Sequence, residues 1–106
     1  MAMLDLNAFQ EKTFEVKLLD GTVVELRKPS QKLVIDIMAH EEKLKNKDPK
    51  KVLNSFINIM VEVLNNNTEG REFTRGYVEK YFSLDLGSLF LGAYIDFVKD
   101  IQSDPN

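Results

Sequence analysis

From Lys12 the chain alternates: Phe14, Val16 and Leu18 are apolar while Glu15 and Lys17 are charged, the period-two pattern of a strand with one buried face. Leu19-Asp20-Gly21 follow. Read as a type I turn closed by a left-handed residue, they place Gly21 at positive φ, which glycine adopts without steric cost. The register then sets Leu18 opposite Thr22, Val16 opposite Val24 and Phe14 opposite Leu26, gathering every apolar strand residue except Val23 on one face. A two-residue Asp-Gly loop would set Val16 against Glu25 and scatter them. The expected element is a three-residue-loop hairpin within residues 12–28.

After Pro29, which cannot donate to a strand ladder, the period changes to 3.6. Ser30 is a good N-cap for a helix from Gln31 to Leu44, with Leu33, Ile37, His40 and Leu44 along one side, Val34 and Met38 beside them, and His40 at the border of the core. Asp48-Pro49, an N-cap and a proline at the first helical position, opens a second helix. Val52, Phe56, Ile59, Met60 and Val63 make its stripe, Leu53, Ile57 and Leu64 flank it, and Asn54, Asn58, Glu62 and Asn65 make a polar back. The run from Asn65 to Gly70 reads as a loop, because asparagine favours turns and glycine stops helices. Thr74 caps a short third helix carrying Tyr77, Val78, Tyr81 and Phe82, and Ser83 caps a fourth that runs to Gln102.

The fourth helix has the widest apolar arc. Leu86, Leu89, Phe90, Ala93, Tyr94, Phe97, Val98 and Ile101 share a face, and Leu91 and Ile95 extend it to roughly two thirds of the circumference, more than a surface helix needs. The remaining seam is Ser88, Gly92, Asp96 and Lys99, whose two small residues admit a close backbone. An arc this wide on a small domain is read in two ways: as the central helix of the chain's own core, or as a contact between chains through Phe90, Leu91, Tyr94, Ile95 and Val98. The predicted fold is α+β, one domain over residues 1–106. An arm of residues 1–11 carries Leu4, Leu6 and Phe9, the hairpin follows, three to four helices fill residues 30–102, and residues 103–106 are a polar tail too short of apolar groups to fold.

Composition bounds the chemistry. At 106 residues the chain can bury roughly 65% of its unfolded surface around one core. Its 43% hydrophobic and 29% charged residues are ordinary for a globular protein. The absence of cysteine excludes disulfides, thiolate metal sites and cysteine nucleophiles. A net charge of −3 argues against nucleic acid or anionic lipid as partner, no apolar run is long enough for a membrane span, and the start lacks the pattern of a signal peptide, so a cytoplasmic location is expected. The single histidine, His40, cannot build a multi-histidine metal site, and Glu41-Glu42 and Asp96-Asp100 read as solvated carboxylates. Gly87 and Gly92 lack the strand and lysine of a phosphate loop and read as packing glycines. Asn66-Asn67-Thr68 matches a glycosylation triplet by accident, and the lysines at 43, 45, 47, 50 and 51 read as a solvated loop. No catalytic, cofactor-binding or metal residue is expected.

The segments TFEVKLLDGTVVELRKPS, NNNTEGREFT and SLFLGAYIDFVKDIQSDPN, with the helical stretch between the first two, resemble the small tail assembly chaperones of long-tailed phages and prophages of Gram-positive bacteria. The resemblance covers most of the chain and rests on overall pattern. It implies a non-enzymatic protein of the host cytoplasm that binds the tape measure protein, keeps it soluble and helps recruit tail tube subunits. The alternative class is a homo-oligomeric structural or adaptor domain that uses its last helix to pair with itself. An enzyme working through carboxylates alone ranks behind both.

Overall fold

The computed structural model describes residues 2–6, 12–45 and 48–103, without the side chains of 101–103. Phe9, Lys47, most of the polar tail and the side chain of Ile101, all named above, lie outside the described residues. The fold is α+β: β1 (Phe14–Lys17), β2 (Val23–Leu26), α1 (Gln31–Lys43), α2 (Pro49–Asn65), α3 (Arg75–Tyr81) and α4 (Leu84–Ser103). The radius of gyration is 15.0 Å against about 13 Å for a compact chain of this length. The shortest dimension is 18 Å, room for two packed elements and no third.

The hairpin has the expected register, with Phe14 opposite Leu26 and Val16 opposite Val24. Gly21 closes the turn at φ +89°, its N–H donating to the Leu18 carbonyl at 2.9 Å, while the Leu18 N–H donates to Thr22 at 2.8 Å. Val24 and Leu26 are buried, Phe14 and Val16 half-buried, and Val23 exposed on the far face. Gly21→Val forces a β-branched residue into the left-handed region and should cost about 1–3 kcal/mol. Thermal unfolding checks this: an unchanged midpoint would mean that the turn does not need its glycine.

The helix starts follow local capping chemistry. Ser30 Oγ accepts from the Leu33 N–H at 3.1 Å, Asp48 Oδ1 from Lys50 at 3.0 Å, Thr74 Oγ1 from Tyr77 at 3.1 Å and Ser83 Oγ from Leu86 at 3.1 Å. Two packing expectations are corrected. Leu44 and Met38 are 56% and 60% exposed, so α1 buries only Leu33, Ile37 and His40. On α4, Leu89 is 71% exposed and Ala93 is also exposed, whereas Leu91, expected outside the main face, is buried. The cause is Gly87: a Cβ there would collide with the ring of Phe56 on α2, so the glycine lets that ring sit against the helix. The side bearing Gly87 turns inward, and Leu91, one turn on, follows it. Among the described residues nothing comes within 4 Å of a Cβ placed at Gly92, and Ser88 is likewise exposed.

The segment after α2 does more than turn. Arg27 N–H donates to the Asn66 carbonyl at 2.8 Å, Thr68 N–H donates to Glu25 at 2.9 Å, and Asn67 bridges to Leu26, so residues 66–68 lie along the outer edge of β2. The buried Asn67 side chain holds this segment in shape, donating to the Leu64 and Arg71 carbonyls at 2.8 and 2.7 Å and accepting from the Glu69 and Arg71 N–H groups at 3.1 and 3.0 Å. α3 and α4 then meet at a bend of 112°. Among the described residues no single helix is long and apolar enough to cross a membrane.

Candidate protein-docking groove

The five α4 residues expected to meet another chain belong largely to this chain's own core. Tyr94 is fully buried, Phe90 and Leu91 are each 7% exposed, and Ile95 and Val98 are half-buried against the same cluster. Tyr94 is the tie between α4 and the rest: its hydroxyl donates to the Arg27 carbonyl at 2.7 Å and accepts from the Asn66 side chain at 3.4 Å. Its ring meets Phe14 edge-on at 6.1 Å and lies 5.9 Å from Phe97. Phe90, Leu91 and Tyr94 thus follow the first of the two readings, a helix inside this chain's own core. Phe90 and Tyr94 lie on the expected face, Leu91 is buried beside the Gly87–Phe56 contact, and Leu89 faces outward.

A groove of about 290 Å³ lies between β1 and the first half of α4. Phe14, Val16 and Leu18 line the strand side, and Phe82, Leu86, Leu89 and Phe90 line the helix side. Glu15, Lys17 and Leu19 complete it, and the exposed Leu84 lies at the same end of α4. Phe82, at the α3–α4 corner, stacks at 5.8 Å on Phe90 and sets the floor. Among the described residues β1 pairs with β2 on one side only, whereas the outer edge of β2 is covered by residues 66–68. The groove therefore runs beside a free strand edge, which can donate and accept main-chain hydrogen bonds.

The hairpin is held rigidly in this position. Asp20 accepts from the Thr22 N–H at 2.9 Å and hydroxyl at 2.6 Å, from Arg71 Nη2 at 3.0 Å and from the Tyr77 hydroxyl at 3.1 Å. Those hydrogen bonds, Thr22 foremost, hold the Asp20 carboxyl well below its usual range. The Arg71 guanidinium also lies 4.6 Å over the Phe73 ring. The turn is thus clamped to the approach to α3. Neither Asp20 nor Arg71 carries a sequence signal of this role, since they are 51 positions apart.

A second cleft, about 170 Å³ between α1 and α2, gathers Asp36, His40, Lys43, Ser55 and Glu62. His40 Nδ1 lies 2.8 Å from Ser55 Oγ, and burial pushes the imidazole below its ordinary value, so it is neutral in the fold. Lys32 holds Asp36 low by a hydrogen bond at 2.8 Å, while burial and a hydrogen bond with Asp36 raise Glu62. Among the described residues no carboxylate accepts a hydrogen bond from the second ring nitrogen of His40, and no group of three or more His, Asp or Glu could hold a metal ion. The arrangement does the work of packing a polar pair into the α1–α2 seam. Lys45 meets Glu42 at 3.4 Å on the exposed end of α1, and the Asn66 amide is engaged with the Arg27 and Lys28 carbonyls at 3.1 Å each.

Comparison with protein-family models, curated proteins and solved structures finds no match to this chain.

The buried His40 makes stability pH-dependent. A group whose pKa is lower folded than unfolded stabilises the fold above the unfolded value, and that contribution is lost as pH falls toward the folded one. Urea unfolding should therefore show stability declining as pH drops below about 6.5, and declining again below about 4 as the lowered Asp20 contribution is lost. His40→Gln should remove the first decline, and Asp20→Asn should reduce the second, to which the lowered Asp36 also contributes. A wild-type profile flat from pH 7 to 5 would contradict the buried neutral histidine.

Proposed function

We propose that this domain is a non-enzymatic tail assembly chaperone of long-tailed phages or prophages of Gram-positive bacteria. It works in the bacterial cytoplasm, shields an amphipathic segment of the tape measure protein and helps bring tail tube subunits to it. The resemblance described from the sequence supplies the identity of the client. The observation that carries the docking role is the groove of Phe14, Val16, Leu86 and Leu89 beside an open strand edge. A chaperone of apolar segments needs exposed apolar surface with main-chain hydrogen-bonding capacity next to it, and it needs no reactive group.

Co-expression with the tape measure protein tests the reading. The client should be soluble and co-purify with the wild-type chain, and Leu89→Glu should reduce its recovery several-fold. Because Leu89 is 71% exposed, the variant should melt as the wild type does. Equal client solubility with and without this chain would overturn the proposal.

A further inference from the structure

Among the described residues the N-terminal arm is the densest exposed apolar stretch: Met3, Leu4 and Leu6 are 84%, 74% and 68% exposed within four residues. Single exposed aliphatics are common on protein surfaces, but a clustered run marks a contact. The arm leads into β1, the strand that forms one wall of the groove. Arm and groove are complementary in chemistry. The arm offers three exposed apolar side chains, and the groove offers apolar walls of matching character.

We infer that, in the client-free protein, the Met3–Leu6 segment of one copy docks in the β1–α4 groove of a second copy. In the single chain the arm does not enter its own groove, since its apolar side chains stay exposed. Two copies set side by side along β1 bring the root of each arm beside the groove of the other. The seven residues from Asn7 to Thr13 span up to about 25 Å when extended, enough to cross between them. Reciprocal exchange about a two-fold axis fills both grooves and closes the assembly as a dimer. The inference rests on the groove being a protein-docking surface, and is independent of which client that surface serves.

The chain contains no cysteine, so introduced cysteines report single sites. Differently tagged Leu6→Cys and Leu89→Cys chains, mixed without client and oxidised mildly, should give a disulfide-linked heterodimer. Its yield should be several-fold above that of Leu6→Cys with Leu53→Cys, a position 48% exposed on α2 and outside the groove. Sedimentation should show a wild-type dimer that Leu4→Ser/Leu6→Ser converts to monomer. Equal cross-linking to both positions overturns the inference. So does a Leu6→Cys/Leu89→Cys double variant that closes only within its own chain, or a wild-type chain that is monomeric at every concentration. Any of these can occur while co-expression still shows client binding, so the two readings fail separately.

Discussion

Tyr94→Ala should destabilise the protein by about 3–5 kcal/mol, the cost of removing a fully buried aromatic side chain. Against a total of about 5–15 kcal/mol for a domain, this leaves the variant unfolded or close to it at room temperature. The loss has several sources: ring contacts with Phe14 and Phe97, the hydroxyl's bond to the Arg27 carbonyl, and the attachment of α4 to the hairpin. Tyr94→Phe separates them. It keeps the ring and loses only the hydroxyl, and the Arg27 carbonyl still accepts from Asn66, so about 0.5–1.5 kcal/mol is expected. Urea unfolding of both variants provides the check. Similar, small losses in the two would mean that α4 is not anchored through this ring.

Asn67→Ala should cost about 2–4 kcal/mol, because it removes four hydrogen bonds to main-chain groups in a partly buried segment. Asn67→Asp should not rescue it: a carboxylate keeps the acceptor but sets negative charge against the Leu64 and Arg71 carbonyls. Hydrogen exchange adds a local readout. The Thr68 and Arg27 amides, which bond across the strand edge, should lose protection before the α2 core does. Retained protection there would show that the segment is held by its backbone alone.

The hairpin register, the four caps and the stripe of α2 were legible because each depends on residues close in sequence. Gly21 needs only its own φ, and Ser30 needs only the N–H three residues on. What stayed hidden depends on distant partners. Residues 65–70 carry every sign of a turn, and nothing local says that Asn66 and Asn67 line β2, some 40 positions earlier. The α4 face was misplaced for a related reason. Counting apolar side chains gives Gly87 no weight, yet its missing side chain admits Phe56 and decides which face turns inward. The helix wall of the candidate groove depends on which side of α4 faces outward, so it could not be placed from the sequence even though Phe14 and Val16 on its strand wall could.

Hydrogen exchange on this chain, measured with and without the proposed client, the tape measure protein, tests the central claim most directly. A client in the β1–α4 groove should protect the outward main-chain groups of Glu15 and Lys17 and residues 84–90, leaving α1 and α2 unchanged. Protection confined to α1 and α2, with β1 and the start of α4 unaffected, would contradict it.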